Sequence, residues 1–309
     1  MSARTVGARQ VHSPLPFAAL LFNALVWGLA WWPFQQMHRA GLHPLWATAC
    51  MYAVVLLGLS VWRPGLWRQV RAHPQLWLLA LSSGLNNVAF NWAVTIGDVV
   101  RVILLFYLMP AWAVLLAWRI LGERPTPAAL LRLALAFTGV ALVLLPPGVP
   151  AARLLHNLSL ADGLALLGGF MFALTNVTLR RLHQVPGPAR MASMFGGCML
   201  MALAVASIGM QLGVVEPFPP ANATWVVTGL LLAALLMVGN WALQYGAARL
   251  AAGTTALVML SEVAFASVSS ALLGASTLAP RTLLGGGLIL AASLLAALQF
   301  RRPAASAAA

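Results

Sequence analysis

Glu262 is the residue on which chemistry would turn. It sits in "VMLSEVAFASVSS", a stretch with no other charge. A carboxylate at the centre of a bilayer costs about 2.5–3.5 kcal/mol on insertion scales, so it faces a cavity or a partner. Two roles justify that cost: a proton-coupling group, or a partner for a substrate amine. A protonated carboxyl bonded to neighbouring helices is the purely structural alternative. Amides come next. Asn87 and Asn91 lie one turn apart on one helix face, as do Asn240 and Gln244. Together with Asn176 they would line a cavity in which amides hold a carboxylate without a buried charge. Interhelical hydrogen bonds worth about 0.6 kcal/mol each account for them equally well. Trp27 and Trp31, also one turn apart, and Tyr107 offer an aromatic cavity wall suited to a small amphipathic ligand.

Composition dictates the elements that position these residues. The chain has 309 residues, 61% hydrophobic and 7% charged, with a mean hydropathy of +0.89. Soluble domains carry about 25% charged residues; 18 basic and 5 acidic side chains cannot cover a soluble surface. A soluble enzyme is excluded. Runs such as "VVTGLLLAALLMVG" from Val226 are apolar on every face, unlike the alternating strands of a membrane barrel. Helices of about 20 residues span a bilayer. Ten such segments are predicted, at 15–35, 44–62, 74–95, 100–118, 128–146, 160–179, 189–212, 224–246, 253–274 and 281–300. The first reads as a retained helix rather than a cleaved signal.

The net charge of +13 comes from arginines scattered in ones, twos and threes between apolar runs, with no lysine. Nucleic acid is therefore not an expected partner. With both termini cytoplasmic, 14 arginines fall in inner loops and 4 in outer ones, as the positive-inside rule requires. None of the six histidines lies mid-span, and Cys50 and Cys198 fall inside apolar spans as small hydrophobes. Neither a metal nor a cofactor is expected.

The two halves repeat. Asn91-Trp92-Ala93 with Gly97 matches Asn240-Trp241-Ala242 with Gly246 at an offset of 149; Trp27 and Phe172 open similar segments at an offset of 145; "ERPTP" from Glu123 matches "STLAP" from Ser276 at 153. An odd number of spans per half makes the second repeat inverted. The expected architecture is an all-α membrane protein of ten transmembrane helices in two five-helix inverted-topology repeats, 15–147 and 157–300. Residues 1–14 and 301–309 form cytoplasmic tails, N-in and C-in.

Trp27-Gly28, Pro110, and Leu121-Gly122-Glu123 followed by Pro125-Thr126 together resemble the EamA family of the drug/metabolite transporter superfamily, over about residues 15–300. The resemblance implies a ten-helix fold with a central cavity, exporting amino acids or other small metabolites. The second half departs from the pattern, with Ala275-Ser276 where Gly-Glu is expected and Val263 where Pro110 would fall. Pro110 is expected to kink its span and free backbone carbonyls near a cavity. Glu123, four residues after Arg119, is placed for a same-face ion pair with a structural or gating role at the cytoplasmic end. Ser159 and Asp162 have capping-box spacing, and Gly168-Gly169 and Gly285-Gly286-Gly287 are set for close helix packing.

An intramembrane enzyme would need paired aspartates, Ser with His, or HExxH, and the spans hold no such constellation. The expectation is a non-enzymatic secondary transporter in the bacterial inner membrane. It would export amino acids or related metabolites by alternating access, proton-coupled through Glu262, with a small-molecule substrate and the lipid bilayer as partners, and act as a monomer. Two alternatives remain: a multidrug or quaternary-ammonium exporter, with Glu262 pairing a cation against aromatic faces, and a receptor or scaffold without flux.

Overall fold

The computed structural model describes residues 14–97, 99–144, 159–273 and 279–300. Residues 1–13 and 301–309 of the predicted tails, Arg153, Ala275 and Ser276 lie outside the described residues. Helices account for all the regular structure described: α1 (Leu15–Arg39), α2 (Pro44–Trp62), α3 (Leu66–Ala72), α4 (Leu76–Ile96), α5 (Val99–Phe106), α6 (Met109–Leu116) running into a π-helical turn (Ala117–Leu121), α7 (Pro127–Leu144), α8 (Leu160–Arg181), α9 (Gly187–Gln211), α10 (Ala223–Ala247), α11 (Ala252–Met259), α12 (Ser261–Leu272) and α13 (Pro280–Phe300). No strand occurs among the described residues.

Among the described residues, seven segments are long and apolar enough to cross a membrane: Leu15–Arg39, Pro44–Trp62, Arg101–Leu121, Leu160–Arg181, Gly187–Gln211, Ala223–Ala247 and Ala252–Leu272. Two shorter apolar helices, Pro127–Val143 and Pro280–Ala296, accompany them. The 21-residue α4 has the length, but Asn86, Asn87 and Asn91 lower its hydropathy. The chain is thus an α-helical, multi-pass membrane protein. Short α3, which the sequence reading passed over, buries Leu66 and presents Trp67, Arg68 and Arg71 outward.

Helices pack where small residues let backbones meet. Antiparallel α1 and α10 touch along their length: a side chain at Gly246 would strike Leu20 and Pro16, and one at Gly239 would lie against Asn23 and Val26. Antiparallel α4 and α8 do the same: Gly97 abuts Ala161, Gly168 sits beside Phe90, and Thr175 Oγ1 donates to Ser82 Oγ at 2.9 Å. Gly197 of α9 presses on the Ala80 backbone of α4, and Gly139 of α7 and Gly285 of α13 face each other's carbonyls. The close-packing roles expected of Gly168 and Gly285 are thereby realised, whereas Gly287 faces open space.

The two ends of the bundle differ in charge. One gathers the end of α2, α3, the starts of α4, α9 and α11, and the ends of α8 and α10, with Arg63, Arg68, Arg71, Arg119, Arg124, Arg180, Arg181, Arg190 and Arg249. At the other, the α1–α2 turn is held to the α9–α10 loop. Trp46 Nε1 donates to the Glu216 carbonyl at 3.0 Å, Asn222 Nδ2 donates to the Ala40 carbonyl at 3.1 Å, and Phe218 meets Trp46 and Trp225 edge-on.

His43 caps α2 at that second end, its Nδ1 accepting from the Leu45 amide at 3.2 Å. Desolvation first, then the neighbouring His38, push its pKa below the usual histidine value, against an upward pull from Glu216. A cap of this kind requires the neutral ring and is worth about 1 kcal/mol. Its stabilisation is therefore complete above the ordinary histidine pKa and lost as pH falls through the lowered one. Thermal unfolding in detergent at descending pH should show this loss in the wild type and not in His43→Asn, whose acceptor does not titrate in that range.

Candidate functional site

Two membrane-crossing segments break at mid-length, and two of the predicted site residues, Tyr107 and Glu262, fall at the breaks. Arg101–Leu121 is interrupted at Tyr107-Leu108, where the turn tightens: the Leu108 amide reaches the Leu105 carbonyl at 3.3 Å and Ala111 reaches Leu108 at 2.9 Å. Pro110, in the first turn of α6, has no N–H for the Phe106 carbonyl four residues back. Gly169 of α8 closes on that same carbonyl; a Cβ there would stand 2.5 Å from it. Ala252–Leu272 breaks at Leu260, with Leu260 bonded to Leu257 at 3.2 Å and Val263 to Leu260 at 3.0 Å. No proline marks this second break. The offset of 153 nevertheless sets Leu260 opposite Tyr107 and Val263 opposite Pro110.

Glu262 falls in the first turn of α12, directly after the break, where a carboxylate complements the helix dipole. Gly28 lets α1 approach this point: a Cβ there would be 3.0 Å from the Glu262 carbonyl and 2.6 Å from Phe265 Cβ. Trp31 Nε1 donates to Ser269 Oγ at 3.0 Å, and Ser269 Oγ donates to the Gly28 carbonyl at 3.3 Å, lashing α1 to α12. Trp27 is partly buried and packs against a core cluster drawn mainly from α1, α2, α9 and α10.

Asn23, which sequence reasoning missed, lies against the second break. It is fully buried, its Nδ2 pointing 3.4 Å from Met259 Sδ just before the break, and its Oδ1 has no hydrogen-bond partner. The available signal was its spacing, one turn before Trp27 and two before Trp31.

The remaining amides pair within their own helices. Asn91 Nδ2 donates to Asn87 Oδ1 at 3.1 Å, and Gln244 lies 2.7 Å from Asn240 Oδ1. Gln244 is buried against α9; with its amide turned to suit both partners it donates to the Gly187 carbonyl and accepts from the Met191 amide, each at 3.2 Å. That is a helix-joining arrangement. Asn176 is buried, with Nδ2 on the Phe172 carbonyl at 3.2 Å and Oδ1 unpartnered.

At the arginine-rich end, the expected Arg119–Glu123 pair is replaced. The π-helical turn and the left-handed Gly122 (φ +72°) end the helix before the four-residue spacing can act, and Arg119 instead lies over its neighbour Trp118. Glu123 turns to Arg180 of α8 at 3.5 Å and accepts from the Ala252 amide at 3.3 Å, capping α11 from outside. Arg180 Nη1 also donates to the Ala248 carbonyl at 2.7 Å. One ion pair thus joins four segments. At the far end Arg101 Nε pairs with Asp162 at 2.7 Å, and Asp162 closes the expected capping box with Ser159. Since Arg101 and Asp162 open their segments while Glu123 and Arg180 close theirs, the α5–α6 segment and α8 run parallel, tied at both ends.

A cleft of about 180 Å³ lies beside Glu123, between α6, α7 and α11; it includes none of Trp27, Trp31, Tyr107 or Glu262. Removing Glu123 should loosen this end. Glu123→Ala, which deletes both the ion pair and the α11 cap, should destabilise the protein by about 1–2 kcal/mol. Glu123→Gln, which keeps an acceptor for Ala252, should cost less. Thermal unfolding of the two variants checks the order, and equal losses would show that the cap contributes nothing.

Residues 15–145 match the model of the EamA-like transporter family. An uncharacterized transporter of Pseudomonas aeruginosa is 34% identical over 128 residues, covering 38% of this chain and 42% of that protein; the match thus spans less than half of the relative's length. A solved crystal structure of 16% sequence identity superposes with a TM-score of 0.74, covering 93% of this chain and 99% of its own. That likeness establishes a shared fold. Residues 15–145 of the chain are thus similar to the EamA-like transporter family.

Proposed function

We propose that the protein is a secondary transporter that exports amino acids or related small metabolites across a bacterial inner membrane by alternating access. Ten spans form two inverted repeats, N-in and C-in, acting as a monomer, and the substrate binds between the paired helix breaks. The observation that carries this reading is the pair of breaks at Tyr107-Leu108 and Leu260, at positions related by the sequence repeat. Interrupted helices at corresponding positions of two halves are how carriers build a midplane site.

The packing supports the repeat. Gly97 against Ala161 and Gly246 against Pro16 are the same contact with the halves exchanged, by the offsets of 149 and 145. Gly168 beside Phe90, and Gly239 beside Asn23, are another such pair. The gathering of arginines at one end supports N-in, C-in orientation. In this reading Glu123–Arg180 closes the cytoplasmic end, and Glu262 takes up a proton or a substrate amine. Asn23, Trp31 and Tyr107 border the cavity, to which Trp27, Asn87, Asn91 and Asn176 are further candidates. A quaternary-ammonium substrate is the second reading, favoured by the indole of Trp31, which is bonded to Ser269 of the helix that carries Glu262.

Counterflow in proteoliposomes tests both, with labelled amino acids, purine metabolites and one quaternary amine. Accumulation of a panel member by the wild type is expected and names its class. Glu262→Gln should keep counterflow while accumulation driven by a pH gradient falls by about tenfold or more, a loss of roughly 1.4 kcal/mol of driving force. Loss of both activities in folded protein would make Glu262 a binding residue, and absence of counterflow from the wild type across the panel would count against the carrier.

A further inference from the structure

Arg190, the fourth residue of α9, alone among the described arginines is buried. It is 7% exposed and stands between the fully buried Ala189 and Met191. Its Nη1 reaches the Leu179 carbonyl, in the last turn of α8, only at 3.5 Å, the outer limit of a hydrogen bond. Its Nε has no hydrogen-bond partner. It belongs to no ion pair among the described residues, and Glu123, the acid at this end, is engaged by Arg180. The start of α9 is the positive end of a helix dipole, which disfavours a cation, and burial without a counter-charge adds a large desolvation cost. Something anionic must offset that cost for part of the protein's working life.

With Nη1 turned to Leu179, the edge left over is the one formed by Nε and Nη2. That fork matches a carboxylate, which it binds through two parallel hydrogen bonds. Nη2 lies beside Gly187, where a Cβ would stand 3.9 Å from it and 3.3 Å from the Trp241 ring of α10. The Gln244 amide reaches the same turn of α9. The fork therefore sits at a seam between α8, α9 and α10. Arg180, next to Leu179, ties α8 to Glu123 and to the Ala248 carbonyl just past α10. Release of that clamp would open the seam to the cytoplasm. We propose that Arg190 receives the carboxylate of the transported compound on the cytoplasmic side, before it reaches the helix breaks. The inference rests on the carrier reading above and narrows its substrates to carboxylates. A lipid headgroup would have to pass between closed helices to reach the same fork, whereas a soluble carboxylate enters when the end opens.

The test uses the full chain, in neutral detergent and in proteoliposomes. The probes are L-leucine, L-phenylalanine and benzoate, each beside its amide, and dioleoyl phosphatidylglycerol. Thermal unfolding reads binding, and counterflow reads transport. At least one carboxylate should stabilise the wild type while its amide does not. Arg190→Gln should raise the concentration needed by about tenfold or more, the scale of one lost charge-assisted hydrogen bond. Arg190→Lys, which keeps the charge without the fork, should fall between the two. Arg181→Gln, the same charge change on an exposed residue of α8, should leave binding unchanged. Without ligand, Arg190→Gln should melt no lower than the wild type, because it removes an unpaired buried charge; a lower melting temperature would make Arg190 a structural cap on α8 and overturn the site. Equal binding of carboxylate and amide, no stabilisation by any carboxylate, or undiminished carboxylate binding and counterflow in Arg190→Gln would overturn it too, the last while leaving the carrier intact. Stabilisation by phosphatidylglycerol alone, lost in Arg190→Gln, would replace the substrate with a lipid headgroup. Carboxylate binding that depends on Arg190, without counterflow by the wild type, would uphold the anion site and count against the carrier.

Discussion

A bilayer offers no water to a backbone whose helix is interrupted, so a break survives there only where the protein itself surrounds the freed groups. That constraint organises the centre of this bundle. The Phe106 carbonyl, deprived of a partner by Pro110, is covered by the backbone of α8 because Gly169 has no side chain. The second break at Leu260 is enclosed by α1, through Gly28 at the Glu262 carbonyl and Asn23 at Met259. Both enclosures depend on small residues in a neighbouring helix. The glycines of α1 and α8 thus permit the interruptions, and the interruptions bring Glu262 and Tyr107 to the middle of the fold.

The ends depend on charge rather than size. Ion pairs at both extremities hold the α5–α6 segment parallel to α8. The break at Tyr107 is therefore clamped from two sides along one partner helix, while the segment broken at Leu260 is anchored at its start by Glu123 alone among these pairs. The Glu123 contact joins the start of α11 to the braced α5–α6–α8 unit, while the Trp31–Ser269 bond holds α12 to α1.

Much of this was legible in the residues because it rests on local rules. Mid-span Glu262, Pro110 as a helix breaker, the Ser159–Asp162 capping box and the tight glycines each follow from one residue's chemistry or a spacing of three or four. What escaped depends on long-range geometry. The four-residue spacing sets Glu123 beside Arg119 only if the helix continues to it; a π-helical turn and the left-handed Gly122 redirect it to Arg180, 57 positions away. The Leu260 break has no proline to announce it, and only the repeat offset, carried over from Pro110, would have located it. Asn23 is a lone polar residue in an apolar run, and Gln244, though spaced like a cavity residue, is directed to α9 by its rotation on α10.

The central claim is that the paired breaks border a path reached in turn from both faces of the membrane. The most direct test places one cysteine at Leu108 in a chain with Cys50→Ser and Cys198→Ala, reconstituted in either orientation. Labelling is followed with a membrane-impermeant thiol reagent applied from one face at a time. The account expects labelling from each face, slowed from both when a transported compound is added. Labelling confined to one face whatever is added, or none from either face in folded protein, would contradict it.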